Sequence, residues 1–163
     1  MSYRYVGPAE IALAATRSPG GQLIASTRDL ATWLAANSAD REPRGTVATF
    51  VITTSGDLRI ANRRSEHVAC AGGLNVLSAG EIVLAPARAV AVSNLSTGYC
   101  PEPASWPAVA GALERAGIAH AGGFTDAYDF RRCPRCGERN LIKDDFFACA
   151  LCDAELPATW NFD

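Results

Sequence analysis

The run CPRCGERNLIKDDFFACALC, from Cys133 to Cys152, carries four of the six cysteines of a 163-residue chain. They form two Cys-x-x-Cys pairs, Cys133/Cys136 and Cys149/Cys152. Two thiolates at this spacing can hold one ion across a tight turn, and Gly137 lets the chain take a positive φ just past the second ligand. Such a turn aims backbone N–H groups at the sulfurs and spreads their negative charge. In the second pair Asp153 stands in the glycine position, a residue that tolerates the same conformation better than most. NLIK, DD and FFAC between the pairs read as a short hairpin that brings all four sulfurs together. Four soft ligands suit tetrahedral zinc, with iron as the rival. No coordination position is left open, so the expected site is structural. A ribbon this small has almost no core, and zinc binding, worth roughly 10–16 kcal/mol in finger peptides, would fold it.

Other uses of the cysteines fit less well. Two pairs at this spacing do not match a lone redox dithiol. The deaminase pattern, His-x-Glu followed by Pro-Cys-x-x-Cys, fails because Glu66 precedes His67 and Cys133 precedes its proline. Nucleic-acid binding through the ribbon stays an alternative, but the charges disfavour it. From Tyr128 onward, Arg131, Arg132, Arg135, Arg139 and Lys143 face Asp129, Glu138, Asp144, Asp145, Asp153, Glu155 and Asp163, a poor balance for phosphate. Phe146, Phe147, Trp160 and Phe162 suit docking of the ribbon onto its neighbour better than base stacking.

The remainder is ordinary globular material, 48% hydrophobic and 20% charged, with a formal net charge of −2 that attracts neither nucleic acid nor an anionic membrane. The apolar stretch Ile11 to Ala15 is too short for a signal peptide and is preceded by Glu10. VLSAGEIVLAPARAVAV, the longest apolar candidate, is broken by Glu81 and Arg88, so no membrane span is expected. A cytoplasmic location follows as the simplest expectation. Thiols stay reduced there, which favours metal over disulfides.

Two helices are legible. In STRDLATWLAANS, Ser26 is the expected N-cap with Asp29 as its capping-box partner, and Leu30, Trp33 and Leu34 share a face. In SWPAVAGALERAG, Ser105 is the expected cap and Pro107 sits in the first turn. Trp106, Val109, Ala110 and Leu113 make its apolar stripe, and Gly117 stops it. A third, weaker helix covers Pro8 to Thr16. Thr46–Thr54 is rich in β-branched residues, turns at Ser55-Gly56-Asp57 and returns as LRIAN. VLSAGEIVLAP and RAVAVSNLS form a second pair joined near Pro86. Hairpin connections argue against a doubly wound sheet. The expected fold is α+β, a mainly antiparallel sheet with two or three helices over residues 1–125. A four-cysteine zinc ribbon and tail follow over residues 126–163, reached through the glycine-rich RAGIAHAGGFTDAYDF.

Between the strands lies a dense set of polar groups. His67, Cys70, Glu81, Asn94, Ser96, Thr97, Tyr99 and Cys100 sit at strand ends or in loops, where sites are often built. Gly72, Gly73, Gly80 and Gly98 would let a ligand approach the backbone. His67, Glu81 and Tyr99 are the candidate catalytic residues; Asn94, Ser96, Thr97, Gly72 and Gly73 are the candidate ligand contacts. The structural alternatives are a hydrogen-bonded His67, packed thiols at Cys70 and Cys100, and a Tyr99 that caps a corner of the sheet. An inward Glu81 would need a partner such as Arg63 or Arg64.

The order His67, Ala71-Gly72-Gly73, VLSAGE and LSTGYCPEP resembles a segment of plant IQ-motif calmodulin-binding proteins and of bacterial toxin-like proteins. There a His-Ser-Ser-Phe stretch precedes Ala-Gly-Gly, Ala-Ala-Gly-Glu and Ser-Gly-His-Tyr-x-Pro. The resemblance spans Glu66 to Pro103. It departs at Val68-Ala69-Cys70 and at Thr97-Gly98-Tyr99, where the second histidine is missing. With its ribbon, the whole chain is similar to uncharacterised actinobacterial proteins. The resemblance supports the cluster as a unit and implies no reaction. The functional expectation is therefore a binding module whose zinc ribbon braces a core or recruits a protein partner, with a polar pocket for a small ligand. The alternative is an enzyme acting on a small polar or nucleotide-like molecule.

Overall fold

The computed structural model describes residues 1–162. The elements run α1 (Ala9–Ala15), β1 (Gln22–Leu23), α2 (Thr27–Ala36), β2 (Arg41–Glu42), β3 (Gly45–Thr53), β4 (Leu58–Asn62), α3 (His67–Cys70), β5 (Val76–Ala85), β6 (Arg88–Val92), α4 (Trp106–Arg115), β7 (Asp129–Arg132) and β8 (Arg139–Ile142). The fold is α+β. A six-stranded sheet has the order β1-β4-β3-β5-β6 with β2 added to β3, and β7 and β8 make a separate two-stranded sheet. Every pairing between these strands is antiparallel.

The centre of the large sheet is β3, buried along nearly its whole length. Its even positions, Ala48, Phe50 and Ile52, join Leu58, Ile60, Ile82 and Leu84 on the face covered by α2 and α4, through Leu30, Trp33, Val109 and Leu113. The odd side carries Val51 and Ala79, covered by Tyr3, Ala15, Val68, Cys70 and Tyr99. A strand buried on both faces needs apolar or small side chains at every position, which explains the unbroken run TVATFVIT. At Gly80 in β5, a Cβ would lie 1.9 Å from the Ser93 carbonyl oxygen. No side chain fits there, so glycine sets how closely the chain leaving β6 crosses β5.

Local chemistry accounts for most element ends. The Ser26 hydroxyl accepts from the Asp29 N–H at 3.2 Å and donates to the Asp29 carboxylate at 2.8 Å. That carboxylate also accepts from the Ala25 N–H at 3.0 Å. The Ser26 hydroxyl and the Ala25 N–H hold the Asp29 carboxyl below its usual range. At the end of α4 the Ile118 N–H reaches Leu113 O at 2.9 Å across Gly117, a Schellman closure. The expectation for Ser105 needs correction. Ser105 has helical dihedrals and makes no side-chain cap. Its hydroxyl instead meets that of Ser78 at 2.9 Å, both buried. A buried hydroxyl on β5 needs a partner more than the helix start does.

The small sheet and the segment behind it are fastened to the larger one. The Trp160 indole donates to Cys100 O at 2.8 Å and meets Tyr3 edge to face at 5.6 Å. Phe162 is buried with Cys100 and Phe130. Asn161 brackets one residue of β7, accepting from the Arg132 N–H and donating to its carbonyl, both at 2.8 Å. Of the four aromatics expected to dock, Trp160 and Phe162 do so. Phe147 lies beneath the Arg131 guanidinium, and Phe146 stays 71% exposed.

Candidate metal centre and the central polar cluster

The four ribbon cysteines converge, with all their Sγ atoms within 4.8 Å of one another. Cys133 and Cys152 approach to 3.6 Å, as do Cys136 and Cys149. Sulfurs at the corners of a tetrahedron around zinc, with Zn–S of about 2.3 Å, would sit about 3.8 Å apart. The cluster therefore fits a single ion. All four thiols are free.

Two turns of matching construction build the site. The Cys133 N–H donates to Glu138 O and the Gly137 N–H to Cys133 O. In the second turn the Cys149 N–H donates to Ala154 O and the Asp153 N–H to Cys149 O. Gly137 and Asp153 both have positive φ, 78° and 57°. Asp153 thus takes the backbone role of its glycine counterpart. N–H groups point at the sulfurs as the turns require: Cys136 N to Cys133 Sγ and Leu151 N to Cys149 Sγ, each at 3.5 Å. Burial opposes ionisation of Cys149, but the Leu151 and Cys152 N–H groups prevail and hold its thiol down at about 6. At Cys136 the Glu138 N–H favours the thiolate. Burial and the neighbouring sulfurs outweigh it and push that thiol up to about 12. Four sulfurs this crowded can all ionise only if a cation shares their charge.

Asn140 is a residue that sequence reasoning missed. Buried on β8, it accepts from the Ala150 N–H at 2.9 Å and places its amide nitrogen 3.6 Å from Cys149 Sγ. It pins the second turn to the hairpin and offers the site a side-chain donor. Its signal in the sequence is a lone Asn in the strand between the pairs.

Comparison with family models, curated proteins and solved structures gave no match. The site therefore rests on its own geometry.

The central polar groups find partners within the chain. The Tyr99 hydroxyl donates to Leu74 O at 2.6 Å and its ring meets Tyr5 edge to face. Asn94, fully buried, donates to Pro101 O at 2.8 Å and Tyr128 O at 2.7 Å and accepts from the Tyr128 N–H at 2.7 Å. The carbonyl of Thr97 accepts from Arg139 at 2.7 Å. Ser96 is buried with its hydroxyl unpaired among the described residues. Gly72 and Gly73, both at positive φ, turn the chain out of α3. Glu81 is half-buried opposite Thr49. Among the described residues it makes no ion pair: Arg63 is matched with Glu42 instead. Cys70 and Cys100 are buried, and burial pushes both thiols up to about 12, which makes them poor nucleophiles. Among the described residues, none of the five best-formed cavities is lined by His67, Glu81, Tyr99, Asn94, Ser96 or Thr97.

His67, at the start of α3, hydrogen-bonds Gly80 O through Nε2 at 3.0 Å. Since a carbonyl only accepts, Nε2 carries the proton. Burial lowers the His67 pKa, and the bond to Gly80 opposes that only in part. The folded protein therefore binds a second ring proton less readily than the unfolded chain. Stability from His67 is complete above the ordinary histidine pKa of about 6.5 and declines as pH falls below it towards the lower folded value. A His67→Gln variant keeps a donor for Gly80 without a titration. Denaturation midpoints compared between pH 7.5 and pH 5 are expected to fall further in the wild type than in the variant.

Proposed function

We propose that this protein is a zinc-braced interaction module, in which a structural four-cysteine ribbon over residues 126–163 is clamped onto an α+β core over residues 1–125. One observation carries the reading: four free thiols within 4.8 Å of one another at the mouths of two matching turns. With four protein ligands the ion has no position for water or substrate, so its work is to hold the ribbon together. A reducing compartment such as the cytoplasm would keep these thiols available. Among the described residues, no helix is long and apolar enough to cross a membrane. The partner-facing side is the outer face of the ribbon. Phe146 and Leu151 stand exposed there, at 71% and 69%. They flank a groove of about 650 Å³ between β8 and the second turn. Exposed apolar residues beside such a groove favour a protein partner over a phosphate backbone.

Elemental analysis of the freshly purified full chain tests the metal. One zinc per chain is expected, in a colourless protein. Less than about a tenth of an equivalent of any transition metal would end the reading, and a coloured protein with one iron per chain would replace zinc.

A further inference from the structure

A second site lies away from the ribbon, at the far end of the large sheet. Between α2, the β2–β3 hairpin and the end of β5 is a cavity of about 460 Å³, the size of a small-molecule site. Leu34, Leu84 and Pro86 give it an apolar lining. Thr46 lies at its base. This residue pairs with Leu84 across the strands and occupies an even position of β3, so its side chain enters the layer beneath α2. It is 3% exposed.

The mouth is basic. Arg41 and Arg44, both exposed, line the cavity, and among the described residues neither guanidinium meets a carboxylate. The nearby acids are engaged elsewhere: Glu42 pairs with Arg63 and Asp40 accepts from the Asn62 amide. Two such guanidiniums over an apolar cavity match a definite ligand chemistry. The guanidinium fork suits an oxyanion of two or three oxygens, and the lining suits a hydrocarbon body.

We propose that this cavity binds a small amphiphilic oxyanion, a carboxylate or phosphate monoester with an apolar tail. The head sits between Arg41 and Arg44, and the tail runs past Leu34 towards Thr46 and Leu84. The site is independent of the metal centre.

Titration of the zinc-loaded full chain, followed by backbone amide shifts, tests this with octanoate, octyl phosphate, octanol and inorganic phosphate. Saturable binding of octanoate or octyl phosphate is expected, with shifts centred on residues 34–46 and 84–86. Octanol should bind at least about tenfold more weakly, because hydrogen bonds to a charged head are lost. Inorganic phosphate, lacking a tail, should not saturate. Whichever anion binds more tightly identifies the head group. The double variant R41Q/R44Q replaces exposed side chains and should fold normally. It should weaken both anions at least about tenfold and leave octanol unchanged. Equal binding of octanol and octanoate, full anion affinity in R41Q/R44Q, shifts centred elsewhere, or no saturable binding of either anion would each overturn the proposal.

Discussion

Replacing Cys149 by serine is expected to unfold residues 133–156 while the six-stranded sheet stays folded. The ribbon has little else to hold it. Its buried cluster consists of Cys133, Cys149 and Leu156, with Ile142, Phe147, Cys152 and Ala154 packed only in part. Two of its three fully buried members are thus ligands. Apolar burial on that scale cannot offset the ordering of so many residues, at about 1–2 kcal/mol each. Metal binding, worth roughly 10–16 kcal/mol in comparable peptides, can tip that balance. Serine is nearly isosteric, but its hydroxyl does not ionise to match a thiolate. Amide exchange separates the outcomes. Protection should vanish at Arg139–Ile142 and persist at Val47–Ile52. Chelation of the wild type should reproduce the pattern, and zinc should reverse it in the wild type only. A variant that keeps its protection in β8 would show that the ribbon folds without the ion.

The second large effect is expected at Asn94. Replacing it by alanine strips partners from two carbonyls, Pro101 and Tyr128, and from the Tyr128 N–H, all at a fully buried position. At about 1–3 kcal/mol for each buried group left unpaired, three groups would cost about 3–9 kcal/mol. Because the two Tyr128 groups are only part-buried, the loss is expected in the lower half of that range, about 3–5 kcal/mol. That is a large part of the roughly 5–15 kcal/mol typical of a folded domain. Ser96→Ala is the matched control. Its hydroxyl is equally buried but unpaired, so its removal sacrifices no hydrogen bond and should leave stability unchanged or raise it. Urea denaturation of both variants is the measurement. If Asn94→Ala unfolds at the wild-type midpoint, the amide is not structural and its assignment as a ligand contact returns.

The contrast between the ribbon and the central cluster shows what kinds of pattern a sequence displays. Cys133 to Cys152 is legible because ligand type, spacing and turn geometry are all local. The β3–β4 hairpin at Ser55-Gly56-Asp57 and the Ser26 cap are local in the same sense. The polar cluster reads as a surface facing a ligand because it is rich in hydroxyls and amides near glycines. Several of its groups are occupied by partners far along the chain: Tyr99 with Leu74, Asn94 with Tyr128, His67 with Gly80. No spacing rule announces those pairings, since they depend on how loops cross the sheet. For the same reason nothing in the sequence around Gly80 signals that it stands against Ser93. The cavity beneath α2 is equally hidden, because Thr46 reads as one more β-branched strand residue until its surroundings are seen.

All four sulfurs come from one short stretch, Cys133 to Cys152, and among the described residues β7 and β8 pair only with each other. Capturing the ion therefore requires no long-range search by the chain. Loading and stripping of a metal ion would then be a local event on an otherwise intact molecule, and occupancy would follow the surrounding metal supply on a timescale separate from synthesis and turnover.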